Sequence, residues 1–283
     1  MSAKNSWDVP RRAAAVKKEE KTARPLKARR KEKRHRASII LGVLFVLLMG
    51  VALYVVWLPA LRISTVSAAG PHADTIPRVA EEALWGTYGY VLPRNSIFFP
   101  PTSAMRTIII EAYPDISAVS LSAVSFNELR VESVARASAF VWCGESVDTP
   151  APSCYDADAE GLVFAEHSAG VASTTALKVY SALQGSATTT PVRAHVVSSE
   201  LVPSILRFVR AVKTLGVPVQ AIAIRGDEAD IHVPGNTRIT YVLGREEQAA
   251  SLAASAFPTL KLPDSTIEYI DLRFEKKVYV KRR

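Results

Sequence analysis

The chain has 283 residues but only two cysteines, Cys143 and Cys154, and its five histidines are scattered as His35, His72, His167, His195 and His232. No His-Glu-x-x-His helix and no histidine pair at ligand spacing occurs, so the usual arrangements of a zinc site are missing. A Gly-x-Ser-x-Gly nucleophile elbow is absent too. Gly86 and Gly89 have neither the strand-to-helix fingerprint nor the lysine of a phosphate loop, and they read as points where the chain leaves a helix. Asp156, Asp158, Glu160 and Gly161 open like a calcium-binding loop, yet the twelfth position counted from Asp156 is His167 where a bidentate glutamate is required. That stretch reads as a polar turn between a strand ending near Tyr155 and one starting at Leu162. Triads assembled in space need no local motif, but each titratable candidate has an ordinary reading as surface or turn chemistry. The expectation is a protein that is not an enzyme and carries no cofactor or metal.

Charge is absent from one stretch of twenty residues, Ile39 to Leu58. At about 1.5 Å per residue a helix of that length reaches roughly 30 Å, the thickness of the hydrocarbon core of a bilayer. Tyr54 and Trp57 lie at its C-terminal end, where an amphipathic ring gains from keeping one edge in headgroup water. Arg36 and Arg62 are the nearest charges on either side. These four residues are the expected membrane-interface set. A cleaved secretory signal has an apolar region of only about 7 to 15 residues, and here the apolar run is longer and its basic lead much longer.

Residues 1–38 contain fourteen Lys and Arg against four Asp and Glu, which leaves 21 against 23 in the remainder. Basic residues just before a span are retained on the cytoplasmic side, so the expectation is a cytoplasmic N-terminus and an extracytoplasmic C-terminus. The tail holds a single aromatic residue, Trp7, and no fold motif for nucleic acid surrounds it. It reads as a polybasic segment that sets topology and is attracted to anionic lipid headgroups, at about 1 kcal/mol per residue near the surface, with no nucleic acid expected.

On the outer side of a membrane Cys143 and Cys154 can oxidise, and the ten residues between them include Gly144, Pro150 and Pro152, which suit a turn-rich loop with close ends. A structural disulfide is the first reading and a pair of free thiols the second. Two sulfurs without a nearby histidine pair do not fill a zinc shell.

From Leu61 to about Arg136 the pattern is β, α, α, β, β. Ile63, Thr65 and Val66 begin a strand that Gly70 and Pro71 stop, and Asp74 or Thr75 is the expected cap of a helix through Leu84. Thr102 or Ser103 is the expected cap of a second helix, which Pro114 follows. Strands at Ile116 to Leu121 and Leu129 to Val134 close the unit, with Val119, Leu121, Leu129, Val131 and Val134 as predicted core positions. Beyond Ala139 strands predominate: Ala139 to Trp142, Leu162 to Phe164, Leu177 to Tyr180, Val219 to Arg225, Ala229 to Val233, Arg238 to Leu243, Thr266 to Phe274 and Lys277 to Lys281. Between them Leu201, Ile205, Leu206, Val209 and Val212 repeat on one helical face before Gly216 and Pro218, and Arg245 to Ala256 is a second helix. Gly170 to Pro191, rich in Ser and Thr, is expected to be irregular apart from its one strand. The fold class is therefore α+β: residues 1–38 as a basic tail, 39–60 as the span, 61–136 as one unit and 137–283 as a strand-rich mixed domain with two helices.

This order resembles the bacterial cell-division family FtsQ, also called DivIB. Leu61-Arg-Ile-Ser-Thr-Val-Ser-Ala-Ala-Gly70 is similar to the start of that family's POTRA domain, and Tyr113-Pro-Asp-Ile-Ser-Ala-Val-Ser120 to its helix exit and following strand. Glu132 to Trp142 resembles the segment leaving that domain, with Ala135-Arg-Ala-Ser138 where the family has Glu-Arg-x-Pro. Ile270-Asp-Leu-Arg-Phe274 followed by Val278-Tyr-Val-Lys281 is similar to the last hairpin of the family's β domain. The resemblance implies a septal scaffold in the cell membrane that joins division proteins. Its implied partners are small single-span coiled-coil proteins of the FtsB and FtsL type, captured by strand addition at Phe274, Lys276, Lys277, Val278, Tyr279, Val280 and Lys281. Lys276, Lys277 and Lys281 would attract an acidic partner and deter indiscriminate pairing. The alternative is a membrane-anchored POTRA chaperone or secretion-linked envelope protein.

Overall fold

A computed structural model describes residues 26–89, 91–168, 176–185, 190–260, 262 and 266–283, with side chains from residue 34 onward. Most of the basic tail and parts of the segment from Gly170 to Pro191 lie outside the described residues. The chain divides into two units, Met1–Val55 and Val56–Arg283.

In the first unit a helix, α1, runs over Leu26–Val56, and its stretch Arg34–Val56 is 23 residues long and apolar enough to cross a membrane. Ile39, Leu44, Phe45 and Leu48 are all more than half-exposed or close to it, so this helix satisfies its own backbone but not its side chains. The helix stops two residues short of the predicted Leu58. Leu58 precedes Pro59 and takes an extended backbone (φ −63°, ψ 132°), because the proline ring crowds the helical conformation of the residue before it. A short 3-10 turn over Pro59–Leu61 follows.

Among the described residues the second unit has two large apolar cores and a small third cluster. The first lies between β1 (Thr65–Ala69), β4 (Ile116–Ala123) and β5 (Glu128–Ala135), in the order β1-β5-β4, and the helices α2 (Ile76–Leu84) and α3 (Thr102–Ala112). β1 pairs with β5 in parallel, Thr65 opposite Glu128 through Ala69 opposite Glu132, and β4 is antiparallel to β5. Ile76, Ala80, Met105, Ile109, Ile116 and Val131 are fully buried between them. Gly70 ends β1 at φ 99°, where a Cβ would collide with the carbonyl of Ser133, so no other residue fits this close passage of two backbones.

Three sequence-based expectations fail here. Val134 is 56% exposed: Leu129, Val131 and Ser133 point inward, and a period of two sends Val134 to the other face. Thr75 stands at the N-cap position of α2, but its side chain makes no capping hydrogen bond. The Ile76 N–H already donates to the His72 carbonyl at 2.9 Å, and the Thr75 hydroxyl is engaged with His72 and Tyr113. Thr102 and Ser103 lie inside α3, and the position before it is Pro101, which offers no side-chain cap. A small hairpin, β2 (Thr87–Tyr88) with β3 (Leu92–Pro93), lies between the two helices.

The other core is built on a mixed sheet of nine strands among the described residues. They are β6 (Phe140–Trp142), β7 (Tyr155–Ala157), β8 (Val163–Glu166), β9 (Lys178–Tyr180), β10 (Ala221–Arg225), β11 (Glu228–Val233), β12 (Thr237–Val242), β13 (Ile267–Asp271) and β14 (Tyr279–Arg282), in the order β14-β13-β12-β11-β10-β9-β6-β7-β8. A strand begins at Tyr155 rather than ending there. The helices α4 (Val202–Thr214) and α5 (Glu246–Leu260) bury Ile205, Phe208, Val212, Ala253 and Phe257 against Ile222, Ile231, Ile239, Tyr241 and Ile270 of the sheet. Each such side chain contributes about 1.5–3 kcal/mol of burial free energy. Phe208 meets Tyr241 edge to face at 4.6 Å between ring centres. Alternation in β10 turns Ile222 and Ile224 to the helices and the small Ala221 and Ala223 to the opposite face, beside Val141, Cys143 and Tyr180.

Candidate partner-binding edge

β14 is a terminal strand of the large sheet, antiparallel to β13 with Tyr269 opposite Lys281, Ile270 opposite Val280 and Asp271 opposite Tyr279. The Leu272 N–H donates to the Thr240 carbonyl on the β12 side at 2.9 Å. Successive residues of a strand direct their backbone groups to opposite sides, so Tyr269 and Asp271 address β14 and receive Tyr279 and Lys281 in return. The backbone N–H and C=O of Val280 are left facing outward, along with those of Arg282. This is an open ladder position in the middle of an edge strand.

The side chains of the seven expected partner-binding residues fall into four settings. Val278 and Val280 turn to the helical side and pack against the large core. Phe274 and Tyr279 lie half-exposed and contact each other edge to face at 4.8 Å between ring centres. Lys276 and Lys277 are exposed in the connecting turn and form no ion pair among the described residues. Lys281 differs from them: its ammonium lies 2.9 Å from a Glu268 oxygen, and this hydrogen bond raises its pKa above the ordinary lysine value. Its charge is already engaged within the chain.

Behind this edge the open face of the sheet carries two cross-strand rows that sequence reasoning missed. The first, read through the strand registers, is Lys281, Tyr269, Arg238, His232, Ala221 and Lys178. Arg238 and Lys281 each sit 5.9 Å from the Tyr269 ring centre, one on either flank. The second row is Tyr279, Asp271, Thr240, Asp230 and Ala223. Asp230 is buried and pairs with Arg225, accepts a 2.6 Å hydrogen bond from Thr240, and has Arg238 at 3.7 Å. Burial alone raises the Asp271 carboxyl, but the hydrogen bonds from Arg273 outweigh it and hold the carboxyl below its usual range. The same contacts, with Glu228 at 2.6 Å, raise the Arg273 guanidinium above its ordinary value. No local motif marks these rows, because they exist only once six strands, or five for the second, are in register.

The remaining expected site residues lie elsewhere. Cys143 and Cys154 are joined by a disulfide that closes the β6–β7 hairpin just beyond the Trp142–Tyr155 pair. Gly144 takes φ 121° beside it, where a Cβ would lie 2.6 Å from the Ala151 nitrogen. Asp156 binds His167 at 3.0 Å, and Asp158 folds the following turn by accepting from the N–H groups of Glu160 and Leu162, so the acidic stretch is spent on turn chemistry. No cluster of three or more metal-ligating side chains exists among the described residues. Of the membrane-interface set, Arg36 and Tyr54 are exposed on α1, whereas Trp57 and Arg62 belong to the second unit and stack, with the guanidinium 4.9 Å from the ring centre.

No family model matches this chain, and no curated protein sequence matches it.

Proposed function

We propose that the protein is a single-pass scaffold of the bacterial cell-division machinery, anchored by α1 with its N-terminus in the cytoplasm, that joins division proteins by strand addition at β14. The observation that carries this reading is the edge position of β14, with the backbone of Val280 facing outward and two uncommitted lysines in the adjoining turn. A partner strand laid along β14 would complete the ladder, and Lys276 and Lys277 would favour an acidic one. The resemblance to FtsQ points to small single-span coiled-coil proteins of the FtsB and FtsL type as that partner. It also supports a reading of the unit containing β1, α2, α3, β4 and β5 as a POTRA domain. On this reading the protein catalyses nothing and needs no cofactor. The basic tail orients the span and is drawn to anionic headgroups.

The test is an intact N-terminal fluorescent fusion expressed at native level in the source cell. A band at the division site is the expected result. Uniform envelope signal overturns the division reading and favours an anchored chaperone that holds extended clients along the same open edges.

A further inference from the structure

Three segments remote in sequence converge at the residue that follows α1. The Trp57 indole N–H donates to the Val91 carbonyl at 2.8 Å, which ties the β2–β3 hairpin to that point. Arg62 bridges Ser96 in antiparallel fashion, and the Ile97 N–H donates to the Leu61 carbonyl at 3.1 Å. Just past this bridge the chain turns, with the Phe99 N–H donating to the Ser96 carbonyl at 3.3 Å, so Phe98 and Phe99 stay within three residues of it. Trp85, at the C-terminal end of α2, shares with Trp57 and Arg62 a cleft of about 520 Å³.

The side chains presented there are unusual for a surface in water. Trp85 is 79% exposed, Phe99 55%, Phe98 50% and Val91 50%, with Tyr88 and Trp57 close to 40%. Scattered apolar residues on a surface need no explanation, but this set is gathered on connected segments around one point of the chain. Two guanidinium groups accompany it: Arg62 over Trp57, and Arg94 at 5.4 Å from the Tyr88 ring centre. The Arg62 guanidinium is held within the chain, its Nη2 donating to the Trp57 carbonyl at 3.1 Å and its Nε buried without a hydrogen-bond partner.

We infer that Trp57, Trp85, Tyr88, Val91, Phe98 and Phe99 form a collar that seats the second unit on the phospholipid bilayer, with the exposed Arg94 directed to lipid phosphates. The inference rests on α1 spanning that bilayer. Covalent continuity then puts Trp57 one residue beyond the helix, and the polar zone on each side of the hydrocarbon is only about 5–8 Å deep. A hairpin hydrogen-bonded to Trp57 lies at that level. Tryptophan and tyrosine gain most at this depth, since the ring body enters the acyl boundary while the N–H or O–H stays hydrated, and arginine supplies charge complementary to the phosphates.

The test uses the full chain reconstituted into phosphatidylcholine–phosphatidylglycerol vesicles, with or without lipids brominated high on the acyl chains. The fluorescence of Trp85 is obtained by subtracting the spectrum of Trp85→Phe, a change at an exposed position that leaves both cores untouched. Flotation of the protein with the vesicles, together with loss of the Trp85 emission in brominated lipid and its protection from aqueous iodide, is the expected result. The double variant Phe98→Asp, Phe99→Asp is expected to float equally but to lose most of that quenching. Flotation with Trp85 open to iodide and unaffected by bromine overturns the collar and leaves the span standing. Failure to float overturns the span and the collar with it.

Discussion

The guanidinium of Arg136 meets the carboxylate of Asp158 at 2.5 Å, and this pair joins the two large cores of the second unit. Arg136 follows β5 and also donates to the Pro114 and Ile116 carbonyls at 3.0 Å each, while Asp158 holds the turn between β7 and β8. Both side chains are largely buried, at 15% and 5% exposure. One planar group therefore satisfies three acceptors drawn from both sides of the junction.

Arg136→Ala leaves Asp158 buried without its cation, and a loss of about 3 kcal/mol is expected for a broken buried pair. Arg136→Lys is expected to recover little, since an ammonium cannot reproduce the fork. Urea unfolding of the full chain measures both, and an Arg136→Ala midpoint equal to wild type would show that the joint lies elsewhere.

Reduction of the Cys143–Cys154 bond frees a loop of about ten residues, for which chain entropy predicts a loss of about 2–3 kcal/mol. The melting temperature of the wild type should fall on adding dithiothreitol. That of Cys143→Ser, Cys154→Ser should start low and not respond.

Val280→Pro removes an N–H that faces outward, so β13 keeps its partner while the open ladder is blocked. Capture of the strand-adding partner is expected to be lost, with stability changed by about 1 kcal/mol or less. Val280→Ala controls for packing and should still capture. Charge reversal at Lys276 and Lys277 should weaken capture most at low salt.

Burial lowers the pKa of His232, opposed by Asp230 and reinforced by Arg238 and Arg225. The folded protein then holds this ring neutral while the unfolded chain, with a value near 6.5, takes up a proton. Stability is full above pH 6.5 and falls as pH drops from there toward the depressed folded value. Melting curves between pH 7.5 and 5 should show this slope in the wild type and a shallower one in His232→Gln.

Much of the architecture is legible in the sequence because it rests on local signals. A twenty-residue run without charge marks α1, and the 3.6 period ending at Gly216 and Pro218 marks α4. Alternation finds β4 and β5 within two residues, and applied strictly from Leu129 and Val131 it puts the polar Ser133 inside and Val134 outside, against what their hydrophobicity suggests. The capping bond at α2 is missed because Pro77, at its second position, has no N–H to donate and the Thr75 hydroxyl is turned to the His72 carbonyl. At the edge, the position of β14 follows from its being the last strand of a hairpin, but the engagement of Lys281 by Glu268 depends on a register that no window of sequence displays. The same is true of Arg136, whose three acceptors come from residues up to 22 positions away.

The parallel pairing of β1 with β5 also dictates an order of events when the chain emerges N-terminus first. Thr65 appears early but its ladder partner, Glu128, is 63 residues behind it, and β4 likewise waits for β5. Until residue 135 has passed, both outer strands have unmatched backbones, so the unit closes in one late step rather than growing strand by strand. Chaperones that shield extended segments would have their longest hold on this protein during that interval.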